Sequence, residues 1–175
     1  ISMKFAAKYA MVALALLVTA GSVRADEKGD AYEAYQTAVS ARSDLASLKS
    51  GIEKARNDAG ADKRASKLAG QDATDFLAAS SASESSISLG DNWDKKAKKD
   101  VEDAAVAYDL CIGYWDDWVM SGYVNYYAYS YYLVYAAEAK SKAESSFDYS
   151  YNDTYYYYGA ANVLVGQMWG ILAKY

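Results

Sequence analysis

The residues best placed to do chemistry in this chain are carboxylates set among aromatic rings. Asp116 and Asp117 lie between Trp115 and Trp118, with Tyr114 beside them and Asp109 seven residues before Asp116. Carboxylates next to aromatic rings are the stuff of sugar sites and of acids with raised pKa. Neighbouring residues on a helix project in different directions, so Asp116 and Asp117 cannot act on one bond together. The expected role is the polar edge of a helix. Asp148, Asn152 and Asp153 form a second oxygen cluster, but their spacing lacks the glycine and terminal glutamate of a calcium loop. Asn152-Asp153-Thr154 is also an N-glycosylation sequon.

Other chemistry is excluded by composition. The chain has 0 histidines and 1 cysteine, Cys111. Most zinc sites, histidine-ligated haem, Ser-His-Asp triads and Cys-His pairs are thereby removed. One cysteine forms no internal disulfide, and Cys111 is expected as a small buried hydrophobe. No acid, base and nucleophile converge. The sequence predicts no enzyme, no cofactor and no metal.

What remains unusual is tyrosine. The chain has 19, and fifteen of them fall between Tyr108 and Tyr158. On a helix, Tyr123, Tyr127, Tyr131 and Tyr135 form one ladder, and Tyr126, Tyr129 and Tyr132 a row beside it. A phenol has a dry ring and a wet hydroxyl, which suits packing and interfaces alike. The expected interaction surface is Tyr114, Trp115, Trp118, Tyr123, Tyr127, Tyr131, Tyr135, Tyr155, Tyr158 and Trp169. Crosslinking or electron transfer between tyrosines is conceivable from density alone, without a metal or haem to drive it.

These side chains need elements to hold them. Apolar residues from Ala31 to Ile52 recur three and four apart, which predicts a helix over 30–58, stopped near Gly60. A second helix is expected over 61–80. Ser80 to Asp91 reads as a serine-rich connector, with Asp91 capping a third helix that carries the basic run Lys95 to Lys99. Ser121-Gly122 suggests a break, 123–145 a fourth helix, 149–154 a polar turn and 154–173 a last helix. A short hairpin over 147–158 is the competing local pattern. The chain has 0 prolines, so glycine and polar clusters must do the punctuation.

The N-terminus reads as an export signal. Lys4 and Lys8 precede an apolar run over 10–20, and Ser22-Val23-Arg24-Ala25 ends in a small-x-small cleavage pattern. Ile1 and Ser2 precede the expected start. The run is shorter than the ~20 residues a bilayer core needs, which favours cleavage over anchoring. The full chain has net charge −5; Lys4, Lys8 and Arg24 leave with the leader, so 15 basic against 23 acidic residues make the remainder −8. Such a domain repels nucleic-acid phosphates and anionic lipid. Yet 118–137 and 154–173 hold no charge and are each long enough to span a membrane, and Gly166 to Gly170 has small-xxx-small spacing. Phenols are poor lipid-facing residues at the bilayer centre.

The sequence therefore predicts an all-α protein: a bundle of four to five helices after a signal peptide at 1–25. Residues 26–175 form one helical domain, with a connector near 80–91 and a tyrosine-rich half at 108–175. The expected protein is exported to an extracellular, periplasmic or organelle-lumen space. Its expected role is structural or scaffolding, through self-assembly or a partner protein. The alternatives are a membrane-associated subunit with a helical hairpin at 118–137 and 154–173, and a binding module for an aromatic or sugar-like ligand.

Overall fold

The structure is a computed structural model. It describes residues 27–120 and 126–175; at 27–28, 115, 117–120, 126–137, 139–140 and 143–146 it describes the helical backbone alone. The described residues are all-helical, with three long helices: α1 (Glu27–Ala61), α2 (Gly70–Met120) and α3 (Tyr126–Leu172). A short 3-10 turn, Ala65–Lys67, lies between α1 and α2. No strand occurs among the described residues, so the hairpin over 147–158 is not formed.

A repeat of seven explains why these helices pair. In α1, Ala31, Ala34, Ala38, Ala41, Leu45, Ile52 and Ala59 are buried, in steps of three, four or seven. In α2 the buried residues Phe76, Ser83, Gly90, Ala97, Ala104 and Cys111 are each seven apart. In α3 two rows keep the same period: Phe147, Thr154, Ala161 and Met168, and Tyr158, Val165 and Leu172. Side chains recurring every seven residues form a continuous seam that a neighbouring helix covers along its length.

Cross-helix pairs fix the directions. Arg42–Asp94, Lys49–Asp91 and Arg56–Glu84 rise along α1 and fall along α2, so these helices are antiparallel. Asp100–Ser150, Asp91–Tyr158 and Asp72–Lys174 do the same between α2 and α3. The result is an up-down-up bundle with α1 parallel to α3. Its main core gathers Leu45, Ile52, Phe76, Ile87, Tyr158, Val165, Met168 and Leu172.

The α1–α2 corner is locally tied. Asp62 Oδ1 accepts from the Arg64 backbone N–H at 2.8 Å and from its Nε at 3.0 Å. Hydrogen bonds from the Arg64 side chain and backbone hold the Asp62 carboxyl down to about 2. The same guanidinium lies 6.0 Å from the Trp169 ring centroid, over α3. Gly70 opens α2 at φ +58°, a left-handed conformation that glycine adopts without a Cβ penalty. At the other terminus, Lys174 and Tyr175 both donate to Asp72, at 2.8 and 3.0 Å.

Several boundaries differ from expectation. Among the described residues the long helices number three, where four to five were expected over the domain. The segment 61–80 is not a separate helix; it holds the corner and the start of α2. Ser80 to Asp91 is no connector, because α2 runs through it without a break. Its serines bond back into their own helix: Ser83 Oγ donates to Ser80 O at 2.7 Å and Ser85 Oγ to Ser81 O at 3.1 Å. Ser83 is 0% exposed, a small core residue rather than linker. Asp91 lies mid-helix and caps nothing. Residues 149–154 are helical too, with Ser150 and Thr154 buried. The expected break at Ser121-Gly122 and the leader at 1–25 lie outside the described residues.

Candidate functional site

The most built site in the bundle is a polar clamp at the edge of its core. The Tyr158 ring lies flat against the α2 backbone at Gly90: a Cβ there would come within 2.5 Å of Cε1 and 2.6 Å of Cδ1. Only glycine leaves that room. The ring's position brings its hydroxyl to Asp91, donating to Oδ1 at 2.6 Å. Lys49 Nζ, from α1, donates to Asp91 Oδ2 at 2.9 Å. One carboxylate thus joins all three helices. Burial, and then Asp91, push the Tyr158 phenol far above its ordinary value. The hydrogen bond to Asp91 raises Lys49. Tyr158 is 1% exposed, so the clamp offers no phenol to a substrate. Its chemistry is to hold register.

A second polar layer lies nine residues further along α2. Buried Ser150 Oγ donates to Asp100 Oδ2 at 2.9 Å, and Thr154 Oγ1 donates to Ser150 O at 2.6 Å. Both layers are hydrogen-bonded, which is what makes polar groups tolerable in a core.

Aromatic packing runs along α3 beside these layers. Phe147 stacks on Tyr151 at 5.2 Å and Tyr151 on Tyr155 at 6.2 Å, an i, i+4 ladder. Tyr108 of α2 meets Tyr32 and Tyr35 of α1 at 5.4 and 6.2 Å, joining those helices near their far ends. The outward side of α3 is different in kind. Tyr149 is 71% exposed, Tyr156 68% and Val163 52%.

The expected surface residues divide accordingly. Tyr158 belongs to the core, not to a surface. Tyr155 and Trp169 are half-buried against the main core. Tyr114 is half-buried towards the end of α2. The side chains of Trp115, Trp118, Tyr127, Tyr131 and Tyr135, and all of Tyr123, lie outside the described residues. Cys111 is buried, as its residue type predicts. Asp109 and Asp116 are exposed two turns apart on α2; the Asp117 side chain is outside the described set. Asp148, Asn152 and Asp153 sit on a continuous helix instead of a turn, and the sequon's Thr154 is 0% exposed. Among the described residues, no three potential metal ligands converge.

Two shallow grooves lie among the described residues. One, of about 540 Å³, runs between α2 and α3 past Ala78, Ala82, Leu164 and Gly170. The other, of about 530 Å³, lies at the α1–α2 corner beside Leu68, Phe76 and Leu77. Neither is lined by tyrosine or tryptophan. Comparison with protein-family models, curated proteins and solved structures found no match.

Gly90, Asp91, Lys49, Ser83, Asp100 and Ser150 were not among the residues expected to matter. For Ser83 and Gly90 the signal was the seven-residue period from Phe76 to Cys111, on which both lie; the other four are not on it.

Proposed function

We propose that this protein is an exported, non-enzymatic scaffold that works by binding another protein surface, its own or a partner's, through the aromatic C-terminal half. The observation that carries this reading is the outward side of α3. Large apolar side chains stand exposed there at Tyr149, Tyr156 and Val163, and 154–173 holds no charge. Exposed apolar surface of this kind, aromatic and poor in charge, is characteristic of association sites.

The interior supports a scaffold as well. The polar cluster that joins all three helices buries its phenol, and its hydrogen bonds run between helices.

The two alternatives have less behind them. No helix among the described residues is long and apolar enough to cross a membrane. Of the proposed hairpin, 154–173 turns Tyr158, Ala161, Val165, Met168 and Leu172 into the core, and the side chains of 118–137 lie outside the described set. A flat aromatic or sugar ligand would call for a tyrosine-lined cleft, and the two grooves among the described residues are not lined by tyrosine.

Size-exclusion chromatography with light scattering, on protein purified natively from its source, tests the proposal. The expected result is a mass at least twice that of the chain, or a co-purifying protein. A strict monomer that brings nothing with it would contradict the reading.

A further inference from the structure

The outward face of α3 is complementary to its own reverse, and we propose that it pairs two copies of this chain as antiparallel α3 helices. This inference rests on the self-assembly reading above and gives it a face and a register.

Two rows run along the side of α3 opposite its core residues. Tyr149, Tyr156, Val163 and Gly170 are seven apart, and so are Asn152, Gly159, Gly166 and Ala173. Together they have the a and d spacing of a helix seam, on a helix whose inner seam is already filled. In an antiparallel pair, a positions of one helix face d positions of the other. Centred near residue 161, that rule sets Tyr149 against Ala173 of the second copy, Tyr156 against Gly166 and Val163 against Gly159. Every large residue meets a small one, and the two-fold axis repeats each contact.

The glycines are the second observation. A Cβ at Gly159, Gly166 or Gly170 would meet nothing within 4 Å, so the monomer has no steric use for them. Gly90 shows the opposite case, where Tyr158 occupies the space. Glycine weakens a helix interior. On α3 it clears room where the large side chains of a second copy would enter.

Charge favours the same occupant. The chain, net −5 with its leader and −8 without it, repels its own copies except through an uncharged face, and the two rows hold no charged residue. At about 1.5 Å per residue the rows run for roughly 36 Å. A helix pair of that length buries on the order of 1,200 Å² in total, at the lower end for a stable complex, so the dimer should be of micromolar affinity.

Sedimentation velocity across concentration, on the wild-type chain and two variants, tests the pairing. Gly166→Leu adds bulk into open space in the monomer, so its thermal midpoint should not fall. In the dimer the leucine meets Tyr156, and the dissociation constant should rise at least about tenfold. Adding Tyr156→Ala should restore it to within about threefold, because the large and small partners are exchanged. Direction is tested by oxidation: Asn162→Cys, beside the two-fold axis, should give a disulfide dimer, and Tyr149→Cys should not. Cys111 is 1% exposed and does not compete.

Self-association that Gly166→Leu leaves unchanged would overturn this face while leaving the self-assembly reading intact. Crosslinking at Tyr149→Cys instead of Asn162→Cys would mean a parallel pair and overturn the register. A wild-type chain still monomeric at about 200 μM, a hundredfold above a micromolar constant, would mean that the face is covered by a different protein or by another part of this chain; that overturns the inference and the self-assembly arm together.

Discussion

Tyr158 does two separable things, and substitution pulls them apart. Its ring fills the space over Gly90, and its hydroxyl ties Asp91, itself held by Lys49. Tyr158→Phe keeps the ring and removes one hydrogen bond to a carboxylate, so stability should fall by about 1–3 kcal/mol. Gly90→Ala should help the helix by about 1 kcal/mol from propensity alone. Instead it should destabilise by about 1–3 kcal/mol, because the ring must move. Urea unfolding of both variants checks this; a Gly90→Ala variant more stable than wild type would mean that the ring does not sit where described.

The same residues set the pH response. The Tyr158 phenol is raised by burial, so the folded state keeps a proton that the unfolded chain releases near pH 10. Its contribution is fully present below that ordinary value and is lost as pH rises above it; Lys49, also raised, acts in the same direction. Asp62 has the opposite sign. Lowered from 3.8 to about 2, it contributes above pH 3.8 and loses that contribution as pH falls towards 2. Thermal midpoints should therefore decline above about pH 10, and Tyr158→Phe should flatten that decline. An unchanged slope in the variant would assign it to other groups.

At the scale of elements, α2 is where sequence and structure part company. Serine and glycine usually mark linkers, and Ser80 to Asp91 is dense in serine and ends in Gly90-Asp91. Here two of them, Ser83 and Gly90, are core residues. Tyr158 occupies so much of the seam that α2 can offer it only a backbone at Gly90, and Ser83 is a further small residue at a core position. Small residues chosen for close packing look, one at a time, like punctuation. The same ambiguity hid Ser150 and Thr154, which read as a turn with Asn152-Asp153 but occupy buried positions on α3. The stripe of α1 was legible because it contains Leu45 and Ile52, whose burial needs no partner to be guessed. Hydrogen exchange distinguishes the two views of 80–91: a continuous helix predicts slow exchange there, comparable with the flanking turns of α2. Rapid exchange confined to 80–91 would restore the connector. Ser83→Leu should cost about 1–3 kcal/mol by overpacking, where a linker would accept it.

At the scale of the molecule, fold class was readable and purpose was not. Helix-period patterning without histidine or proline pointed to a bundle held by packing, and the chain is one. The aromatic tract pointed to a surface but did not say which rings face out. Folding decides that: Tyr158 goes in, Tyr155 halfway, and Tyr149 and Tyr156 stay out. The candidate surface thereby narrows, among the described residues, to one side of α3. Export remains part of the proposal, and N-terminal sequencing of native protein should begin at Asp26.

The claim on which the rest depends is that the outward side of α3 exists to be covered. Light scattering of the natively purified protein measures this most directly. The account predicts a particle of two or more chains, or one chain with a bound partner, at micromolar concentration. A single chain, alone at every concentration tested, would contradict it.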